Sequence, residues 1–259
     1  MEDLKQYNPD GSPLRCHQLQ LLELLREFDR ICRLEGIVWW LDSGTLIGAV
    51  RHGGFIPWDD DLDVCILVRD IPKLRKLMRR QARPPYAFKV RGDKGYTRLW
   101  PRFINTNSRI VRRDDATGKP MEDFIWIDAN PLRPGSPGLK RLADASYGRI
   151  MRRISGAIND GLANKILAYV LYPFSLLIAA SVSLFGWLFH SDTFVFDYGL
   201  SFYSTRIRKD IFPLTTVEFE GFSFPAPADT DAYLRRIYVD WTKLPPEEKR
   251  RNHEIIFPD

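Results

Sequence analysis

The chain has 259 residues, 44% of them hydrophobic and 27% charged, which excludes a disordered or low-complexity protein and leaves room for one sizeable core. Its 38 basic and 33 acidic residues leave a formal charge of +5, a mild excess that suits an anionic small molecule or surface and is too small to argue for nucleic acid. Cys16, Cys32 and Cys65 are odd in number and scattered, which argues against a disulfide framework; all three are expected as buried, reduced thiols.

After the polar entry NPDGSP, Leu21, Leu25, Phe28 and Cys32 recur at helical spacing, and Leu22, Leu24 and Ile31 widen the stripe. This predicts an amphipathic helix over 15–35. IVWWL (37–41) predicts a short buried strand with Trp39 and Trp40 in the core. Gly44 opens a short helix to about residue 51, and GGFIPW breaks it, because two glycines and Pro57 cannot continue a helix. LDVCILV (62–68) has the profile of a strand covered on both faces. DIPKLRKLMRRQA follows as a basic amphipathic helix, and FIWIDANPL (124–132) as another strand, which Pro131 is expected to end. Strands alternating with helices predict an α/β fold, a mixed sheet flanked by helices. The whole of 1–259 is expected as a single domain, with an apolar helical insertion at 150–192.

Within that insertion, residues 166–189 carry no charged side chain and follow the basic RIMRRISG. The length suits a bilayer, although Pro173 and Gly186 interrupt the run. A buried helical pair, a hairpin dipping into one leaflet and a spanning helix all remain open; Tyr169, Tyr172, Trp187, Arg152 and Arg153 speak for an interfacial position. A spanning helix would part the last 70 residues from the aspartates described next, so peripheral contact is preferred. The N-terminus has neither a basic start nor an apolar core, so no signal peptide is expected. The expected location is cytoplasmic, with peripheral contact at the inner face of the cytoplasmic membrane.

The chemistry concentrates in GTLIGAVRHGGFIPWDDDLDV, Gly44 to Val64. Asp61 and Asp63 stand at i and i+2 where a strand begins, and such residues project to one face. A hard cation, Mg²⁺ or Mn²⁺, is the usual way to hold two carboxylates together. Gly44 and Thr45 at a helix start offer backbone N–H groups and a hydroxyl to a phosphate, and Arg51 and His52 add donors. A phosphate cradle beside a carboxylate pair is the minimum apparatus for metal-assisted phosphoryl transfer. Alone, a D-x-D is more often a solvated turn; here the order and the sixteen positions from Thr45 to Asp61 favour a site. Asp59 and Asp60 are open between site residues and a solvated loop edge. Trp58 is placed to line a cleft, whereas Arg98 and Arg102 read mainly as surface charge. His17, His52, His190 and His253 share no zinc-like spacing.

The G-T helix start followed by D-h-D-h (h, apolar) resembles the nucleotidyltransferase superfamily, and LDSGTLIGAVRHGGFIPWDDDLDV resembles the signature of the LicD family within it. WIDANPL resembles that family's second aspartate strand. The stretch IFPLTTVEFEGFSFPAPADTDAYLRRIYVDWTKLPPEEKRRNH resembles its C-terminal block, so the likeness covers 7–132 and 197–253. It implies a metal-dependent transferase moving a phosphoalcohol, phosphocholine-like group from a CDP-alcohol donor to a glycan or glycolipid hydroxyl. Asp61, Asp63 and Asp128 would be the metal and catalytic carboxylates, and Gly44, Thr45 and Arg51, with His52, would face the donor phosphates. A nucleotidyltransferase that transfers NMP, and a non-catalytic membrane-attached binding subunit, are the alternatives. Two positions depart from the family pattern: Val239 stands where a glycine is common in YGDY, and Asn130 where an aromatic is usual.

Overall fold

The computed structural model of the chain describes residues 4–94, 96, 98–113, 118–156, 158, 161–252 and 255–257. Helix α1 (Pro13–Leu34) begins where the Ser12 hydroxyl accepts from the Arg15 amide at 3.2 Å, with Pro13 at the first position. It buries Leu21, Leu24, Leu25, Phe28, Ile31 and Cys32, the stripe expected from the spacing. Cys16 lies off that stripe and is exposed, contrary to expectation; Cys32 and Cys65 are buried, and all three are free thiols.

Strand β1 (Trp39–Leu41), helix α2 (Ser43–His52), strand β2 (Asp63–Leu67) and helix α3 (Ile71–Gln81) follow, close to their predicted bounds. Strands β3 (Tyr86–Lys89), β4 (Arg102–Arg113) and β5 (Pro120–Pro134) complete a sheet in the order β1-β2-β5-β4-β3. The β2–β5 pair is parallel and sets Asp63 opposite Asp128, while β1–β2, β3–β4 and β4–β5 are antiparallel. The fold is thus the expected mixed α/β sheet flanked by helices.

Pro131 does not end its strand. The Ala129 amide donates towards Pro101 on the β4 side, and alternation along the strand points the ring nitrogen of Pro131 to that same side. There β4 has already ended, its pairing closing at Asp128, and the next partner strand begins only opposite Leu132. The missing N–H therefore falls in a gap where no ladder bond is due.

Beyond β5 come helices α4 (Pro137–Ala143) and α5 (Arg149–Ser155), then α6 (Leu162–Phe189). Strands β6 (Thr193–Phe196) and β7 (Arg206–Ile207) extend the sheet beside β5. A short helix α7 (Arg208–Ile211), the hairpin of β8 (Thr215–Phe219) and β9 (Phe222–Ala226), and helix α8 (Thr230–Arg235) close the order. The apolar middle is one continuous 28-residue helix, neither a helical pair nor a hairpin. Pro173 sits on its exposed side, where losing one hydrogen bond is tolerated, and Gly186 lets α6 approach β5 closely: a Cβ there would stand 2.8 Å from the Pro134 carbonyl oxygen.

Candidate active site

The segment between β1 and α2 is clasped to the start of β2. The Asp42 amide donates to the Asp63 carbonyl (3.1 Å), and the Asp63 amide donates to the Thr45 hydroxyl (2.9 Å). Thr45 is therefore buried behind the site, where it fixes Asp63 against the helix start. The first turn of α2 presents Ser43 and Gly44 to the cleft, and Ile47 and Arg51 follow along the same helix. Ser43 has φ of 48°, a left-handed value uncommon outside glycine and concentrated at functional sites. Gly44 lets the Asp59 carboxylate lean over this first turn, since a Cβ there would lie 3.0 Å from Asp59 Oδ2.

Two lobes meet at Ser43, Asp61, Asp63 and Tyr238. The first, of about 470 Å³, is lined by Arg51, Trp58, Asp59, Asp240, Trp241 and Lys243 among others. The second, of about 400 Å³, adds Arg98, Trp100, Asp128, Asn130, Phe202 and Arg206. Asp61 and Asp63 face both lobes, as the i, i+2 spacing requires.

Burial raises the Asp61 carboxyl well above the usual range, and the charges of Asp59 and Asp63 raise it further. Asp63 is raised likewise, by burial and then by Asp128 and Asp42, although Asn130 Nδ2 donates to its Oδ1 at 3.0 Å. Asp59 is pushed up to about 7 by burial and by Asp60. Such mutual repulsion across a shared cleft is what a divalent cation would relieve, and Mg²⁺ is commonly held by one or two carboxylates with substrate phosphates completing its shell. The Asp61–Asp63 pair fits that donor set.

Asp128 stands differently. Its Oδ1 accepts from Trp100 Nε1 (2.7 Å) and Arg102 Nε (2.5 Å), and its Oδ2 from Arg102 Nη2 (3.2 Å) and Trp126 Nε1 (3.1 Å). A carboxylate offers about four lone-pair directions, and these four donors fill them. Among the described residues, no three His, Cys, Asp or Glu side chains come together as a metal-binding group. Arg102, expected at the surface, is 3% exposed and anchors Asp128 instead.

Arg51 lines the first lobe, but its guanidinium is largely engaged. Nε donates to His52 Nε2 (2.9 Å), and Nη1 to the carbonyls of Trp241 (3.0 Å) and Lys243 (3.2 Å). His52 thus acts as an acceptor, and burial and the Arg51 charge lower its pKa to about 4. Asp60 is buried as well: its Oδ2 accepts from the Ile255 amide (2.6 Å), and its carbonyl from His17 Nε2 (2.9 Å). The open alternative of a solvated loop edge is therefore excluded for both Asp59 and Asp60. Val239 is fully exposed and is not among the positive-φ residues, so the turn takes it without strain. His253 lies outside the described residues.

Sequence reasoning missed Asp42 and Arg206. Asp42 is completely buried and occupies the N-cap position of α2, but its Oδ1 turns inward to accept from the Tyr233 hydroxyl (2.6 Å), with Arg206 Nη2 at 3.5 Å. Burial pushes its carboxyl up, but the Arg206 charge and hydrogen bonds from Tyr233 and Cys65 outweigh this and hold it below the ordinary range. Arg206 is 1% exposed, and its Nε has no partner although the side chain borders the second lobe. An aspartate before a helix start signals a cap, whereas nothing near Arg206 in the sequence marks it.

Residues 36–127 match the LicD/FKTN/FKRP nucleotidyltransferase domain. The chain is 27% identical to the lipopolysaccharide cholinephosphotransferase LicD of Haemophilus influenzae, over 93% of this chain and 96% of that protein. It is 38% identical to the human ribitol 5-phosphate transferase FKRP, over 44% of this chain and 21% of that protein. A third relative is mannosyltransferase regulator 4 of Saccharomyces cerevisiae, 33% identical over 44% of this chain and 9% of that protein. The matched domain contains Asp42, Ser43, Gly44, Asp61 and Asp63 and stops one residue short of Asp128. With its mixed sheet and two-carboxylate cleft, the chain thus carries a nucleotidyltransferase domain of the LicD type at residues 36–127.

Proposed function

We propose that the protein is a metal-dependent transferase that moves a phosphoalcohol group from a CDP-activated alcohol to a hydroxyl of a glycan or glycolipid. The observation that carries this is the Asp61–Asp63 pair crowded beneath the Ser43–Gly44 helix start, inside a LicD-family domain whose relatives include a cholinephosphotransferase and a ribitol 5-phosphate transferase. Asp61 and Asp63 would hold Mg²⁺ or Mn²⁺, which supplies neutralisation of the donor's diphosphate charge when bound. The N–H groups of α2's first turn orient the phosphates, and Arg206, whose side chain lines the second lobe while paired with Asp42, is a further donor group there. The acceptor hydroxyl oxygen bonds to the phosphorus that carries the alcohol. The bond from that phosphorus to the bridging oxygen breaks, and CMP leaves with the electron pair. The hydroxyl proton goes to Asp128, which must first release one of its four donors; Trp100 lines the same lobe as Asp128.

The test is CMP release from CDP-choline, CDP-ribitol, CDP-glycerol and CDP-ethanolamine with and without Mg²⁺, with a glycan acceptor present. Release that needs the metal and disappears in Asp61→Asn is the expected result; release equal in Asp61→Asn and the unaltered chain would overturn the reading. The filled lone pairs of Asp128 favour one second reading, a non-catalytic subunit that binds the nucleotide without turnover. Calorimetry showing metal-dependent CDP-alcohol binding, with no CMP formed from any donor, would select it.

A further inference from the structure

Helix α6 exposes what most helices bury. Its residues Ala168, Ser175, Ala179, Val182 and Gly186 are buried and recur at heptad-like intervals, forming a narrow seam against the protein. Outside the seam, Leu162, Ile166, Val170, Phe174, Leu177, Leu188 and their neighbours are 41% to 75% exposed. At 100° per residue, the seam spans about 60° of the helix circumference and the exposed apolar side chains about 220°. A core-facing helix buries a stripe of roughly 100° and turns a polar face to water; here the wide face is the apolar one.

The width of that face argues for one occupant. A second copy of this chain, packing helix against helix, would cover another stripe of about 100° and leave a comparable apolar arc in water. A lipid surface covers the whole arc at once. The surrounding charge is complementary to an anionic surface: Arg141, Arg149 and Lys165 are exposed and Arg152 and Arg153 half-buried, while Asp144 is buried and paired with Lys140. Tyr169 and Trp187, 56% and 61% exposed, stand towards opposite ends of the helix, and both residue types favour the headgroup level.

Length alone would permit spanning, since 28 residues make a helix of about 42 Å. The packing does not. The seam is held along the helix from Ala168 to Gly186, and Arg133 donates to Ser183 at 2.5 Å beneath it while also pairing with Asp197. A transmembrane orientation would carry this ion pair and the flanking arginines into hydrocarbon.

We infer that α6 lies flat in the headgroup region of an anionic membrane, its outward face submerged and its seam against the protein, so that the chain is a peripheral membrane protein. The inference does not depend on the reaction proposed for the aspartate cleft. It is tested by floating the full-length chain with vesicles of pure phosphatidylcholine and with vesicles containing one-third phosphatidylglycerol. Expected are co-flotation with the anionic vesicles, a loss of roughly tenfold for each of Leu177→Glu and Phe185→Glu, and a loss of roughly fivefold for Arg149→Glu that is confined to the anionic vesicles. Both apolar positions are exposed, so circular dichroism should be unchanged in the variants. Three results would each overturn the inference. The unaltered chain could fail to float with either vesicle, or the Leu177→Glu, Phe185→Glu double variant could float as well as the parent. Alternatively, sedimentation could show a dimer that the double variant dissolves, with no vesicle binding.

Discussion

The aspartate cleft and helix α6 depart from ordinary burial in opposite directions. The cleft takes carboxylates out of water and places them against one another: Asp59 and Asp60 are buried, and Asp61 and Asp63 are driven towards protonation by burial and by their neighbours. The helix leaves in water a set of large apolar side chains that a soluble protein would cover. Each region carries an unfavourable term that the described residues do not cancel, and each term suggests a chemistry that would cancel it. A crowded carboxylate pair calls for a cation and a phosphate; a broad apolar arc rimmed by cations calls for anionic lipid. The two are built on different parts of the fold, the cleft on the main sheet and its core, the helix on a satellite cluster of Ala143, Tyr147, Met151, Ala179, Val182 and Tyr198.

The strongest way to break this comparison is at the cleft. Asp63→Asn removes one carboxylate and keeps the shape, and the loss of CMP release is expected to be about 10³- to 10⁴-fold. The same change should raise thermal stability in metal-free buffer by about 1 kcal/mol, a few degrees for a chain of this size, because it removes a charge that burial and Asp128 disfavour. Thermal melting beside the CMP assay separates the two effects. A variant that loses both activity and stability would mean that Asp63 supports the fold and that its crowding is compensated by contacts other than a ligand.

Asp42 sharpens the contrast within the cleft. It is as buried as any of the others, but Arg206 and the Tyr233 hydroxyl hold it as an anion. Asp42→Asn leaves Arg206 charged, buried and without its counter-ion, and should cost about 3 kcal/mol in urea unfolding. Two neighbouring aspartates would then answer the same substitution with opposite signs. On the helix side, the Leu177→Glu change that removes vesicle binding should move the unfolding midpoint by less than about 0.5 kcal/mol, because the side chain touches solvent and not the seam.

Much of this was legible from residue order, for physical reasons. The α1 stripe, the glycine break after α2 and the β-branched run of β2 each follow a local period or a local prohibition, and the structure reproduces all three. The carboxylate pair was legible because two residues apart in extended chain means one face, and this holds although Asp61 stands just before β2 begins. The missed features depend on distant chain. Strand β4, RFINTNSRIVRR, hides behind its charges, because Arg102 and Arg112 turn inward to Asp128 and Asp123, supplied by β5. Pro131 reads as a strand end, since its harmlessness depends on where β4 stops and β6 begins. The donors on Asp128 come from Trp100, Arg102 and Trp126, and no spacing rule brings them to one carboxylate. Pro173 and Gly186 read as breaks in the helix, yet one faces outward and the other meets β5.

The last expected effect is a pH dependence that concerns His52, the neighbour of the Arg51 that lines the first lobe. Its Nε2 accepts from Arg51 Nε, and burial together with the Arg51 charge depresses its pKa from 6.5 to about 4. Below pH 6.5 the unfolded chain protonates this histidine while the folded chain does not. Its contribution to stability is therefore complete above pH 6.5, is lost as pH falls towards about 4, and is level below that. Solvent reaches the ring, so the loss is expected to be on the order of 1 kcal/mol rather than the full value of the shift. Other groups titrate in the same range, so the informative quantity is the difference between the unaltered chain and His52→Gln, whose amide oxygen can still accept from Arg51. That difference, from urea unfolding at several pH values, should appear between pH 6.5 and about 4 and vanish above it. Because Arg51 also grips the carbonyls of Trp241 and Lys243, protonating His52 should loosen that wall of the lobe, and donor affinity should weaken over the same interval. A slope of the opposite sign would mean that His52 is charged in the folded chain and belongs with the phosphate donors after all.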